Sequence, residues 1–157
     1  MTATISRPKI SNWETSNIPN LTGKTALITG ANSGLGYYTA KALAEKNAHV
    51  VIACRSLEKA NQTIKKLKGL NPEGLFTPLE LDLSDLKNIV EVQSKIFDNF
   101  ENLDLLINNA GIMHPPKTLS AQGYEIQFAV NHLAHMLLTL KLLPIIEKKE
   151  ESRIVTV

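Results

Sequence analysis

Thr25-Ala26-Leu27-Ile28-Thr29-Gly30-Ala31-Asn32-Ser33-Gly34-Leu35-Gly36 decides the fold of this chain. A short apolar run opens into a cluster of three glycines, and helical periodicity begins at Leu35 and continues to residue 46. An apolar run of this length bounded by glycine predicts a buried strand. A helix directly after it makes the cluster a strand-to-helix turn, the unit of an alternating fold.

Outward from that turn the alternation repeats. Residues 50–53 predict a second strand, and Ser56 is placed to cap a helix to about residue 68. Residues 75–81 predict a third strand, Ser84 caps a helix to residue 100, and residues 103–107 predict a fourth strand. A loop with Pro115 and Pro116 leads to a long helix over 124–148, and residues 153–157 begin a fifth strand. Strands alternating with helices imply a parallel sheet covered on both faces. With right-handed crossovers this is an α/β fold, a doubly wound, Rossmann-like parallel sheet. A fifth strand would normally be followed by another element, so the expectation is a partial domain over 23–157, truncated after the fifth strand. Residues 1–22, polar and holding Pro8 and Pro19, read as an N-terminal arm that Trp13, Ile18 and Leu21 could dock.

Composition narrows the function classes. A net charge of +2, with Lys and Arg dispersed, gives no footing for nucleic acid. The single cysteine, Cys54, cannot form an internal disulfide. The first 19 residues lack the apolar core of a signal peptide. The most apolar stretch, 133–146, is shorter than a membrane span and contains Lys141 and Pro144. The expectation is a soluble, cytoplasmic protein with no membrane span.

The glycine loop carries the chemistry. Gly30 permits the tight turn, Gly34 lets the backbone approach a pyrophosphate, and Gly36 lets helix and strand pack closely. The helix N-terminus then offers free N–H groups and partial positive charge to phosphates. Cofactor choice is written at the end of the second strand. A binder of NAD wants an acidic residue about 20 positions past the glycines, for the ribose 2′-hydroxyl. This chain has Arg55 there and no acid. A guanidinium pairs with a 2′-phosphate that a carboxylate would repel, so NADP(H) is expected over NAD(H).

The spacing is Thr-Gly-x-x-x-Gly-x-Gly, and it resembles the short-chain dehydrogenase/reductase family. Leu81-Asp82-Leu83, Asn108-Asn109-Ala110-Gly111 and Asn131-His132-Leu133 match that family in the expected order, ahead of Arg153-Ile154-Val155-Thr156-Val157. Ala53-Cys54-Arg55 and Gly123-Tyr124-Glu125 look like the branch that holds retinol dehydrogenases and light-dependent protochlorophyllide reductases.

The resemblance implies hydride transfer between NADP(H) and a small-molecule carbonyl or alcohol. It implies cofactor contacts from Gly30, Asn32, Ser33, Gly34, Leu35, Gly36 and Arg55. Asp82 would accept from the adenine amino group, with the Leu83 backbone beside it. Asn109, Ala110 and Gly111 would pass under the cofactor ribose, while Asn108 braces the sheet. Asn131 would be the catalytic-site asparagine of the long helix, bending it and holding a water for the catalytic lysine. The family's Ser and Tyr-x-x-x-Lys would follow the fifth strand and are not among these 157 residues. A non-catalytic nucleotide-binding or interaction protein is therefore the alternative, and the open fifth strand is a candidate edge for self-association.

Two further constellations are set aside. Tyr37 and Lys41 satisfy Tyr-x-x-x-Lys but lie in the first helix, at the phosphate end of the cofactor, where a general acid cannot reach a substrate carbonyl. His132 and His135 stand three apart on a helix, but no third ligand has suitable spacing, so no metal site is expected.

Overall fold

The structure is a computed structural model and describes residues 12–157. Five strands form one parallel sheet in the order β3-β2-β1-β4-β5. They are β1 (Thr25–Thr29), β2 (His49–Cys54), β3 (Phe76–Glu80), β4 (Leu105–Asn108) and β5 (Arg153–Thr156). The crossovers are α1 (Gly34–Ala44), α2 (Leu57–Leu70), α3 (Leu86–Asn99), and a long helix made of α4 (Ile126–Phe128), a π-helical stretch (Ala129–Leu133) and α5 (Ala134–Ile146). This is the doubly wound α/β fold that the alternation predicts.

Register explains the near-continuous apolar strands. Leu27 of β1 pairs with Val51 and Leu106, and Ile28 with Ile52 and Ile107. The first set faces a core with Ile89, Val92 and Ile96 of α3 and Leu138, Leu142 and Ile145 of α5. The second faces Ala40 and Ala44 of α1 and Ala60 and Leu67 of α2. Residues 26–29 have no exposed surface, because a central parallel strand is covered on both sides.

Element ends differ from expectation where a side chain claims the helix start. Ser56 caps α2 as expected, accepting from Lys59 N at 3.3 Å. Asp85, not Ser84, caps α3, accepting from Lys87 N at 2.9 Å. Ser84 instead gives its hydroxyl to Asp82. Glu125 caps α4, its carboxylate accepting from the N–H groups of Gln127 and Phe128, which holds it below the usual carboxylate range.

The run from Ile126 to Ile146 is continuous over 21 residues with mean hydropathy 1.4, long and apolar enough to cross a membrane by length and composition. Residues 133–146 therefore understate it. Within this fold its apolar side packs on α3 and the sheet.

Of the expected arm, residues 1–11 lie outside the described residues. The remainder is tied to the end of α1: Leu21 N–H donates to Lys46 O at 2.7 Å, Lys46 Nζ to Ser16 O at 3.0 Å, and Asn47 Nδ2 to Asn20 Oδ1 at 3.0 Å. Leu21 packs on the α1/α2 core, whereas Trp13 stays mostly exposed.

Where the strands begin, Asp104 is 3% exposed and knits β1 to β4. Its Oδ2 accepts from Thr25 N and Asn102 Nδ2, each at 2.9 Å, and its Oδ1 faces Lys24 Nζ at 3.0 Å. Asp104→Ala removes the acceptor of the part-buried Thr25 N–H, of Asn102 and of Lys24 together, and is expected to cost about 2–4 kcal/mol. Lys24→Ala leaves the buried Asp104 Oδ1 without its ion-pair partner but keeps both Oδ2 bonds, and is expected to cost less, about 1–2 kcal/mol. Urea unfolding of both variants checks the ranking.

Candidate functional site

β1 continues toward β2 and β3, and β4 toward β5, so the chain leaves the sheet in opposite directions on either side of the β1/β4 pair. At such a switch point the connections diverge and leave a crevice beyond the carboxyl ends of the strands. A cavity of about 840 Å³ occupies it. Four turns wall it. Gly30, Asn32, Ser33 and Leu35 come from the β1–α1 turn. Arg55 comes from the end of β2, Asp82 and Leu83 from the end of β3, and Asn109, Ala110 and Gly111 from the end of β4. Three expected site residues do not line it: Gly34, Gly36 and Asn131.

Gly34 has φ +53, and a Cβ there would meet nothing within 4 Å. Glycine is needed for the backbone conformation alone. Gly36 is the opposite case. A Cβ there would lie 2.6 Å from both Asn109 Nδ2 and the Gly30 carbonyl oxygen. Gly36 thus lets α1 sit directly on the β1 and β4 turns. Ser33 holds the N-cap position of α1 without spending its hydroxyl on a cap, and the N–H groups of the first turn have no intrahelical partner. The turn presents donors to an anion.

At the β2 side Arg55 is exposed and pairs with no carboxylate among the described residues. Lys59, one turn into α2, lines the same cavity. Sequence reasoning missed it, although a second cation four residues after Arg55 on a capped helix was a readable signal. Cys54 is buried and donates its thiol to Ser56 O at 3.3 Å, the behaviour of a small packed residue. Asp82 is held by its neighbours: its N–H donates to Asn88 Oδ1, and its Oδ1 accepts from Ser84 N and Ser84 Oγ at 2.8 and 2.6 Å.

The β4 turn is built on Thr29, a residue sequence reasoning passed over. Thr29 Oγ1 accepts from Asn109 N and Ala110 N, both at 2.9 Å, and Asn109 Nδ2 donates to Thr29 O at 2.9 Å. His135, 5% exposed, brings Nε2 to 2.9 Å from the same Thr29 oxygen. Burial pushes its ring below the ordinary imidazole range, against a raising effect of the Asn131 carbonyl. A histidine on an apolar helix face was the signal available for it.

Asn131 lies in the π-helical stretch, where Ala134 N–H reaches back to Ala129 O. Its side chain grips the backbone of Ile112, accepting from Ile112 N and donating to Ile112 O, each at 2.9 Å. The wider π turn sets this side chain against the loop after β4. Asn108 is buried and donates to Thr139 Oγ1 at 3.0 Å, bracing β4 to α5. Farther along, Gln122 straps the loop to α3, accepting from Leu86 N and donating to Asp85 Oδ1 at 3.0 and 2.6 Å. That bond leads the causes holding Asp85 below the usual carboxylate range.

Tyr37 and Lys41 stay on α1. Tyr37 packs beside the α1/α2 core with its ring edge-on to Tyr38, and Lys41 pairs with Glu45 at 3.2 Å. Among the described residues no three His, Cys, Asp or Glu side chains converge as a metal set.

Gly36→Ala should force α1 away from both turns. The expected cost is about 1–3 kcal/mol of overpacking, together with loss of ligand binding in the crevice. Thermal melts and nucleotide titration of the variant check this.

Comparison with known proteins agrees with this geometry. A profile of the short chain dehydrogenase family matches residues 24–157. Human retinol dehydrogenase 13 is 42% identical over 133 residues, which is 85% of this chain and 40% of that protein. An uncharacterized oxidoreductase of Schizosaccharomyces pombe is 40% identical over 140 residues, 89% of this chain and 41% of that protein. The chain thus spans about two fifths of the length of these relatives. Among solved structures, an uncharacterized Mycobacterium paratuberculosis protein superposes with TM-score 0.76 at 38% identity, covering 86% of this chain and 47% of the other. A short chain dehydrogenase from Escherichia coli CFT073 complexed with NADPH gives TM-score 0.76 at 26% identity, covering 87% and 59%. With its glycine turn, its β4 turn and its parallel sheet, the chain, which is similar to retinol dehydrogenases 11, 13 and 14, belongs to the short-chain dehydrogenase/reductase family.

Proposed function

We propose that this chain is the cofactor-binding portion of an NADP(H)-dependent short-chain oxidoreductase, which moves a hydride to or from a small-molecule carbonyl or alcohol. The observation that carries the reading is the crevice at the β1/β4 switch point. A donor-rich helix N-terminus stands at its centre, and two cations that form no ion pair among the described residues, Arg55 and Lys59, stand at its β2 side.

The residues fit the cofactor by their chemistry. The α1 N-terminus and Ser33 would take the pyrophosphate. Arg55 and Lys59 would take the 2′-phosphate. Asp82, with one oxygen left after bonding Ser84, would take the adenine amino group. Asn109, Ala110 and Gly111 would lie along the ribose. The nicotinamide supplies the hydride chemistry when bound; this chain orients it and shields it from water. Asn131 keeps its proposed place at the catalytic end, where its side chain fixes the Ile112 backbone. The second reading is a non-catalytic nucleotide-binding or interaction protein, for which the same crevice and the exposed side chains of β5 would serve.

The proposal treats the long helix as a packed core element instead of a membrane span, on its contacts with α3 and β4, and places the chain in the cytoplasm. It includes no nucleic-acid partner. It also includes self-association. The outer edge of β5 has no neighbouring strand among the described residues, and Ile154, Val155 and Val157 are exposed there. Such an edge is a template for a second strand.

NADPH is expected to bind the 157-residue chain at least about tenfold more tightly than NADH, the order of one charge-assisted contact. Arg55→Ala should erase most of that preference and Lys59→Ala part of it. Fluorescence titration decides, and an unchanged preference in Arg55→Ala overturns the assignment. Sedimentation velocity over a concentration series is expected to show association that Val155→Lys weakens. A monodisperse monomer at every concentration overturns that part.

A further inference from the structure

Thr29 Oγ1 has more neighbours than a hydroxyl can serve in most arrangements. Asn109 N and Ala110 N each lie at 2.9 Å, His135 Nε2 at 2.9 Å and Ile107 O at 3.5 Å. A hydroxyl has two lone pairs and one proton. The two backbone N–H groups can only donate, so they take both lone pairs. The single proton must then go out, and the nearer acceptor is His135 Nε2. A proton on Nε2 would be a third donor aimed at an oxygen with no lone pair left. The ring proton therefore sits on Nδ1, which points at Asn131 O, 3.4 Å away.

Resting on the nucleotide reading above, we propose that His135 is a positioning residue of the cofactor site. As a neutral, Nδ1-protonated ring it draws the Thr29 proton toward α5 and so fixes the Asn109–Ala110 backbone that lies under the cofactor. A charged ring, with protons on both nitrogens, cannot accept from Thr29. Its Nε2–H would instead donate to Thr29 Oγ1 and take a lone pair from one of the two amides, while the Thr29 proton would have to turn toward Ile107 O. No mechanism step asks for a histidine here, yet α5 places a buried polar side chain on this contact, one turn before the Thr139 hydroxyl that receives Asn108.

The surroundings leave the ring to titrate on its own. β1 and β4 carry no charged residue within their strands, and Lys24 and Asp104 stand at the opposite end of both. On α3, Lys87, Glu91, Lys95 and Asp98 are exposed. Arg153 lies in register with Leu105 at the far end of β5, and on the helix itself His132 is exposed and Lys141 is two turns away. Burial lowers the ring below the ordinary imidazole range. The competent neutral form therefore dominates at neutral pH and is lost as pH falls through that lowered value.

The test uses the 157-residue chain labelled with 15N. Long-range proton–nitrogen correlation should show His135 with a protonated Nδ1 and a bare Nε2 at pH 7.5. NADPH affinity should be flat from pH 8 to about 6.5 and weaken below it, in step with the titration of the His135 ring. His135→Phe should weaken NADPH about 3- to 10-fold at neutral pH, the range for one lost hydrogen bond, approach the wild type at acid pH, and speed amide exchange at Asn109 and Ala110. His135→Gln, whose side-chain oxygen can accept from Thr29, should restore slow exchange and reduce the acid-side weakening to the part that the 2′-phosphate, titrating near about 6, contributes by itself. A protonated Nε2 at pH 7.5, an acid-side weakening in His135→Gln as large as in the wild type, or a His135→Phe with unchanged exchange would each overturn the proposal. If the wild-type chain binds no NADPH at any pH, the nucleotide reading fails, and the tautomer and exchange data still judge the role of His135 in the β4 turn.

Discussion

β1 is covered on both faces and bonded on both edges, to β2 on one side and β4 on the other, in parallel throughout. A parallel strand has to be entered by a crossover, so every helix start collects at one end of the sheet. On one side of β1 the chain moves toward β3 and on the other toward β5. Nothing can fill the space between the diverging connections. The crevice, the free N–H groups of α1 and the β4 turn all follow from that placement.

The two ends of the sheet solve the polar problem differently. At the strand starts, Asp104 receives the Thr25 and Asn102 donors and faces Lys24. The interstrand seam there is closed by side chains. At the strand ends, the turns are held from behind, Thr29 serving the β4 turn and Asn131 and Gln122 fastening the loop that follows. Their front faces stay open to the cavity. A binding surface built from backbone needs such rear support, because a free turn would lose conformational entropy each time a ligand ordered it.

The strands were legible because a buried parallel strand is an unbroken apolar run, and residues 25–29 and 49–54 are of that kind. The glycine turn was legible because three glycines at fixed spacing between strand and helix admit few geometries, and Gly36 does meet the tight contact expected of it. Helix starts were less so: Ser84, Asp85 and Glu125 are all chemically able to cap, and only packing decides which one does. Thr29, in the glycine motif, and His135, set aside as a metal ligand, show no role in the sequence since their partners lie 80 and 106 residues away in the chain. The π-helical stretch had no local signature beyond Asn131, because the extra residue in that turn is accommodated by contact with Ile112 rather than by any propensity of its own.

The closeness of the β1 and β4 turns has a consequence for how this sequence can change. A side-chain carbon at Gly30 would come within 3.0 Å of Ala110 Cα, and one at Gly36 would strike the Asn109 side chain. Positions in separate parts of the chain therefore share one volume. A bulkier residue at 110 can be accepted only if the backbone at 30 withdraws, and a different amide at 109 only if α1 shifts at 36. The two turns drift through mutation as a single inherited unit, and variation within it is epistatic by geometry before selection on any substrate acts.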